Sequence, residues 1–229
     1  MDVAELQRRL AEHGCYAGPT NGVYDAETRA GVLAALTNGP DYRLEQVDAE
    51  AAAAELGVQA AKIWAIYDVE SSGDAFLGGR PTILFEPHRF SRATRHRFDG
   101  LANQNVSYPH WDPKRYPRTQ SARYMQLLDA VGLDVDAGFA SASYGGFQIL
   151  GENYALCDAP SPWAFAWRQA QTESDQLYAF SRFVIQRGLA PALRRGDWAA
   201  FAKGYNGTAY RLNRYDERLA AAYARRAAA

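Results

Sequence analysis

The chain has almost no excess charge of either sign, few cysteines and no long apolar run. Lys and Arg number 25 against 26 Asp and Glu, a net charge of −1. No global field draws such a protein to nucleic acid, and no nucleic-acid partner is expected. The only two cysteines in 229 residues, Cys15 and Cys157, are far apart in sequence. They make neither a close metal-ligand pair nor a disulfide framework, and are expected to stay reduced and unlinked. The four histidines, His13, His88, His96 and His110, show no metal-ligand spacing. No metal or other cofactor is therefore expected. No apolar stretch approaches the roughly 18–20 residues of a membrane-spanning helix. The N-terminus, MDVAELQRRL, has the pattern of an amphipathic helix and not the charged-then-apolar layout of a signal peptide. Synthesis in the cytoplasm is expected, so a target beyond the inner membrane would require release by another agent, such as a separate membrane pore.

What is present is a globular composition rich in aromatic rings. Hydrophobic residues make up 48% and charged residues 22%, which excludes a wholly disordered chain. Fourteen Tyr and five Trp supply either a large core or a groove that stacks sugars, and composition does not choose between them. At about 150 residues per domain, the length fits one domain or two.

The first segment has the pattern helix, turn, helix. Val3, Leu6 and Leu10 recur at helical spacing, and His13-Gly14 ends the run. Gly18-Pro19-Thr20-Asn21-Gly22 is a turn. Asp25 then precedes a second helix whose apolar side is Val32, Leu33 and Leu36, stopped by Thr37-Asn38-Gly39-Pro40. Such a pair buries too little surface to be strongly stable alone and should lean on a partner helix or on the next domain. A short linker at 38–43 keeps the two parts close.

The remainder is mainly helical. Helices are expected at 48–56, ended by Gly57, and at 59–69, broken by Ser71-Ser72-Gly73. Others are expected at 121–131, 143–150, 162–169, 172–187, 197–203 and 214–226, with the Ala-rich end after Tyr223 frayed. Residues 76–85, centred on Gly78-Gly79, suggest one small β-hairpin. Residues 99–119 suggest a long loop, and loops of that length are uncommon unless functional. The basic run His88–Arg97 suggests a solvated helix face, with attraction to anionic surfaces as a second use. Segment 203–229 is amphipathic, but its apolar face is mainly Ala, so no stable membrane insertion is expected.

Three local patterns carry possible chemistry. Glu70 ends an apolar helix before a chain break. Burial and the negative helix end both favour its protonated form, as general-acid cleavage of a glycosidic bond requires; a solvated Glu is the alternative. In Ser143-Tyr144-Gly145-Gly146-Phe147-Gln148-Ile149, the glycines allow close backbone approach and Gln148 offers an amide for a sugar; an ordinary turn into a core helix is the alternative. In Gly204-Tyr205-Asn206-Gly207, Tyr205 could stack on a sugar face, or the segment is a plain loop.

Together these patterns resemble the Glu-Ser, Gly-x-x-Gln and Tyr-Asn motifs of the lysozyme-like superfamily. VESSG at 69–73, GRPTILFEPHRF at 79–90, SYGGFQILG at 143–151, and YNG at 205–207 with NRYDERLAAAYAR at 213–225 are more closely similar to the phage-endolysin N-acetylmuramidases. The resemblance implies a lysozyme-like α+β domain with a small hairpin over 44–229. It implies Glu70 as catalytic acid, Ser71 as its neighbour, and Tyr144, Gly146, Gln148, Tyr205 and Asn206 along the substrate groove. Leu6-Gln7-Arg8-Arg9-Leu10, Gly14, Tyr16, Gly18, Asn21-Gly22-Val23-Tyr24 and Thr28 resemble the small three-helix peptidoglycan-binding domain, although Asn21-Gly22 stands where that family commonly has Asp-Gly. This implies a wall-binding module at 1–38, with Tyr16, Asn21 and Tyr24 as contact residues.

A glycosidase usually needs a second carboxylate. Glu86, at the exit of an apolar strand, is the first candidate; Asp74 and Asp99 follow. Pairing of Glu86 with Arg80, Arg89 or Arg92 is the alternative. The implied activity is hydrolysis of the β-1,4 bond between N-acetylmuramic acid and N-acetylglucosamine by a monomeric lysin acting on peptidoglycan strands. A lytic transglycosylase giving 1,6-anhydro products, a chitinase, a non-catalytic wall binder, and a secreted antibacterial effector in place of a lysin stay open.

Overall fold

Capping residues fix where the first two helices begin. Asp2 accepts from the Glu5 N–H to open α1 (Val3–Glu12), and Asp25 accepts from the Thr28 N–H to open α2 (Ala26–Ala35). The computed structural model describes residues 1–37, 43–71 and 74–228. Most of the expected linker, residues 38–42, and Ser72-Gly73 of the expected break lie outside the described residues. Leu6, Leu10, Val32 and Leu36 are fully buried. Gln7, with 0% exposure, ties the pair together. Its Nε2 donates to Thr28 Oγ1 at 2.9 Å and to the Val23 carbonyl at 3.0 Å, while its Oε1 accepts from the Gly22 N–H at 2.9 Å.

The pair leans on the rest of the chain. His13 stacks on Trp167 with ring centroids 4.3 Å apart. Arg29 meets Asp129 at 2.7 Å, and the Tyr24 ring lies so close to Gly132 that a Cβ there would come within 2.7 Å of it. Residues 1–37 contain two helices, so the third helix of the module type they resemble is not found among them.

The larger body starts with α3 (Gln46–Leu56), closed by Gly57, and α4 (Ala60–Glu70). It continues with α5 (Pro87–Ala93), α6 (Gln120–Leu133), α7 (Val135–Ala140), α8 (Pro162–Gln169), α9 (Glu173–Gln186), α10 (Ala190–Arg195), α11 (Trp198–Asn206) and α12 (Tyr215–Ala227). The fold is mainly α, as expected. α12 packs along α4, whose other side meets α3. The core is aromatic: Phe85, Phe90, Phe139, Phe147, Phe165, Phe180 and Phe201 are all fully buried. α12 remains helical past Tyr223, contrary to the expected fraying; Arg226 holds its end to Asp68 at 2.6 and 2.8 Å. Cys15 and Cys157 form no disulfide. Among the described residues no helix is long and apolar enough to cross a membrane.

The strands depart from expectation in two ways. β1 (Phe76–Leu77) and β2 (Arg80–Pro81) form the Gly-Gly hairpin, with Leu77 opposite Arg80. β3 (Ile83–Phe85) does not extend it. It pairs antiparallel with β4 (Ala142–Tyr144), which pairs with β5 (Ile149–Leu150). The expected helix at 143–150 is thus a strand, a turn and a strand. Gly145 at φ +69° and Gln148 at φ +48° are incompatible with a helix, and a short apolar run does not reveal its period. Residues 99–119 are irregular, apart from 3₁₀ turns at Leu101–Asn103 and Pro113–Arg115.

Gly145 combines its left-handed backbone with the absence of room: an added Cβ would collide with the Gln176 side chain. Gly78, at φ +61°, has open space around it. Thermal unfolding of Gly145→Ala should show a loss of about 2–4 kcal/mol, against about 1 kcal/mol for Gly78→Ala, because only the former adds overpacking to backbone strain. Equal losses would show that the Gln176 contact does not constrain the turn.

Candidate functional site

α4 is buried through Ile63, Ile66 and Val69, and that burial extends to its last residue. Glu70 is only 8% exposed. Two later helices close over it. Asn206, the last residue of α11, donates through Nδ2 to Glu70 Oε1 at 3.1 Å. Arg218 of α12 donates to the Val69 carbonyl at 3.0 Å, satisfying an acceptor that the helix end leaves open. Burial pushes the Glu70 carboxyl up to about 7, against the opposing Asn206 hydrogen bond and Arg218 charge. Glu70 is therefore divided between its acid and its ionised form at neutral pH.

Glu70 borders a cleft of about 750 Å³. Asn206, Tyr205 and Tyr215 line it beside Glu70. Glu86, His88, Arg89, Gln148 and Glu152 enter from the sheet exit, α5 and the 3₁₀ segment Gly151–Cys157. Trp111, 60% exposed, reaches it from the long loop.

Glu86 follows β3 directly, and its N–H donates to the Ser141 carbonyl at 2.8 Å. Its carboxyl has His88 Nε2 at 3.4 Å and Arg89 Nε at 3.6 Å. It thus both lines the cleft and meets one of the three arginines considered as partners. Arg92 goes instead to Glu152 at 3.2 Å, and Arg80 lies over the Tyr124 ring. Burial pushes the Glu86 carboxyl up, Arg89 pulls it down, and Glu152 adds to the rise. Burial, with Arg89 and Arg92, pulls His88 down to about 4, so its ring is neutral at pH 7. Its Nδ1 meets the Tyr116 hydroxyl at 3.4 Å, and its Nε2 faces the Glu86 carboxyl. Neither Asp74 nor Asp99 lines the cleft; Asp99 is bound by Ser91 at 3.0 Å and Ser107 at 2.5 Å.

Several expected groove residues serve the core instead. Tyr144 is 0% exposed, and its hydroxyl donates to the Phe139 carbonyl at 2.9 Å. The Gly146 N–H donates to Gln176 Oε1 at 2.7 Å, and a Cβ on Gly146 would come within 2.6 Å of the Tyr67 ring. Ser71 caps α4 through its N–H to the Tyr67 carbonyl and is not part of the lining. Tyr205 is part of the cleft wall, but its ring stacks on Phe201 and its hydroxyl donates to the Phe147 carbonyl at 2.7 Å. Gln148 lines the cleft with its amide engaged: Nε2 donates to the Gly145 carbonyl at 2.7 Å, and Oε1 accepts from Ser143 Oγ at 3.0 Å.

The expected wall contacts divide in the same way. Tyr16 is 7% exposed, with its hydroxyl on the Pro19 carbonyl. Tyr24 packs against Gly132 of α6. Asn21 is exposed, and its Oδ1 accepts from the Val23 N–H at 2.9 Å. Trp111, Glu152, Arg187, Lys203, Tyr215 and Arg218 are site residues that the sequence did not single out. The length of the loop carrying Trp111 gave a signal, and Tyr215 and Arg218 fall in the block at 213–225 that carries the resemblance; Glu152 and Arg187 gave none. Among the described residues no group of three or more His, Cys, Asp and Glu side chains is placed to hold a metal ion.

Raised from 4.5 to about 7, the folded Glu70 carboxyl keeps a proton that the unfolded chain has lost over that window. Its stabilising contribution is complete below about pH 4.5 and is lost as pH rises through about 7, a change on the order of 3 kcal/mol. Urea unfolding of Glu70→Gln, which cannot ionise, should show a gain over the parent at pH 9 that shrinks toward pH 4. A pH-independent difference would refute the raised carboxyl.

Residues 59–227 match the model of the N-acetylmuramidase family. Among solved structures, the crystal structure of Burkholderia AP3 phage endolysin is similar. It is 32% identical, with 99% of this chain and 95% of that chain covered and a TM-score of 0.72. No curated protein matches the sequence.

Proposed function

Because the chain belongs to the N-acetylmuramidase family, we propose that it hydrolyses the β-1,4 bond between N-acetylmuramic acid and N-acetylglucosamine in peptidoglycan, with Glu70 as general acid. The observation that carries this reading is a buried carboxyl, poised at about 7, on the wall of a cleft of about 750 Å³. Protonated Glu70 gives its proton to the glycosidic oxygen as the bond to the anomeric carbon breaks. Asn206 fixes the carboxyl by donating to one oxygen, leaving the other to carry the proton. Glu86 directs a water to the opposite face of the sugar and accepts its proton, giving inversion. Arg89 favours the ionised form of Glu86, and His88 lies beside it. Gln148 and the exposed Trp111 are the sugar contacts of this reading.

The similarity to a phage endolysin supports a role as a lysin that acts on the cell wall after release through a separate pore. In this reading residues 44–229 form the catalytic domain, active as a monomer. Residues 1–38 form a wall-binding module. With Tyr16 and Tyr24 occupied inside the molecule, the module's contact surface is the exposed Asn21-Gly22-Val23 turn, where Val23 is 57% exposed.

General acid catalysis supplies about 10²–10⁴-fold in rate, so folded Glu70→Gln should lose at least roughly the lower factor on purified peptidoglycan. In the parent, turnover should fall as pH rises through about 7, as the acid ionises. Mass spectrometry of the fragments should find reducing ends that have gained water. Anhydro products would replace hydrolysis by transglycosylation, and parental activity in Glu70→Gln would overturn the mechanism. Glu86→Gln should lose turnover while its melting temperature holds; a fall in stability alone would reduce Glu86 to an ion-pair partner. For the module, Val23→Asp should weaken pelleting with purified sacculi, and unchanged pelleting would refute that contact surface.

A further inference from the structure

The charges around the cleft are not evenly satisfied. Arg89 and Arg92 both end on Glu152, at 2.8 and 3.2 Å, so that border is neutralised within the protein. Arg187 and Lys203 line the same cleft, and neither cationic group has an ion-pair or hydrogen-bond partner among the described residues. Both are exposed. Arg187 follows α9 and lies 5.7 Å over the Phe183 ring, which stands edge-on to Tyr205 at 5.4 Å. Lys203 precedes Asn206 by three positions on α11, which puts the two on one helix face. Asn206 is the residue that holds Glu70. The unpaired cations therefore border the cleft next to the elements that carry Tyr205 and Asn206. A cation is favourable at a helix C-terminus in any protein. That preference does not explain why two such cations, from different helices, border one cleft without an anion between them.

We propose that Arg187 and Lys203 form a subsite for an anionic substituent of the bound glycan, namely the carboxylates of the peptidoglycan stem peptide. The inference rests on the peptidoglycan reading above. The amino-sugar rings are neutral, and the lactyl carboxyl of a substituted muramic acid is consumed in its amide bond. The negative charge of such a strand is carried by the peptide, which projects from the sugar face toward the rim of a groove. A guanidinium takes a carboxylate through two parallel N–H bonds, and an ammonium adds a mobile point charge. The subsite makes the cleft prefer peptide-bearing strands to chitin, whose rings carry no such group.

The test is equilibrium binding to the full chain, which requires no turnover. The probes are a disaccharide–tetrapeptide, chitobiose as the uncharged disaccharide, and the disaccharide–tetrapeptide with its carboxylates amidated. An exposed charge pair is worth a factor of roughly two to five, so the parent should prefer the free-acid peptide to the other two by about tenfold at low salt. The preference should fade as added salt shortens the screening length. It should be lost in Arg187→Gln/Lys203→Gln and kept in Lys203→Arg, with thermal melts confirming folding. A parent with no preference, or a double variant that keeps it, would overturn the subsite. A glycerol phosphate oligomer that competes while the free-acid peptide gains nothing over its amidated form would overturn the stem-peptide assignment in favour of a wall phosphate. A protein that binds with this preference but cuts no glycan would sink the muramidase reading and leave the subsite standing.

Discussion

A carboxyl group that ends a helix and is shut away from water is electrostatically awkward twice over. It loses hydration, and it sits at the negative end of the helix. Glu70 is in that position, and much of the body is arranged so that it can stay there. α12 lies along α4, brings Arg218 to the Val69 carbonyl, and is fastened at its far end by Arg226 to Asp68 and by the Tyr223 hydroxyl to Gln59 at 2.6 Å. α11 ends at Asn206, which gives Glu70 one donor. One donor and one nearby cation are less than full hydration would supply, so the carboxyl stays raised instead of being pulled back to its ordinary value. A second close cation would ionise it. An entirely apolar surround would leave its oxygens unsatisfied.

Another border of the cleft depends on the three-stranded sheet. β3 ends where Glu86 begins, so the pairing of Phe85 with Ala142 fixes the Glu86 backbone. The turn between β4 and β5 is held from below: Gln176 accepts from the Gly146 N–H and donates to the Gln169 carbonyl at 2.9 Å. The glycines there serve packing. They let Tyr67 and Gln176 approach the backbone from beneath, which leaves Gln148, on the same turn, at the cleft surface. Tyr67 in turn donates to the buried Glu173 at 2.8 Å, the carboxylate that also accepts from the Leu44 N–H. The start of α3, the middle of α4 and the first turn of α9 thus meet on one side chain.

What was legible in the sequence follows from the range of the interactions involved. Asp25 announces α2 because a cap is a local hydrogen bond between residues three apart. The place of Glu70 at the end of an apolar helical stripe was legible within a few residues, but the burial that separates it from a solvated Glu was not, because it comes from α11 and α12. The partnership of β3 with β4 was not, since it joins segments far apart in the chain, and neither is long enough to declare its period. Aromatic residue type also misleads. Tyr16, Tyr24 and Tyr144 carry the same ring that would stack on a sugar, but whether a ring faces solvent or core is decided by tertiary packing. α5, α7 and α10 are too short to complete an apolar pattern. Exposed cations such as Arg187 and Lys203 belong to no pattern, and their significance lies only in which carboxylates are absent around them.

The docking of the first two helices bears on how binding and catalysis would combine. A surface ion pair such as Arg29–Asp129 contributes little, about 0–1 kcal/mol. The His13–Trp167 stack and the Tyr24–Gly132 contact add apolar burial, and an aromatic pair contributes roughly 0.5–1.5 kcal/mol beyond its area. Together they hold the pair in one orientation on α6 and α8. A flexibly tethered binder would raise the local concentration of glycan for the cleft in any geometry its linker could span. A docked one multiplies affinity only when the wall presents strands at the spacing and angle of the two surfaces. In the proposed reading, the pair therefore selects which strand of a layered wall enters the cleft, since engagement by the Asn21-Gly22-Val23 turn fixes the direction in which the cleft faces.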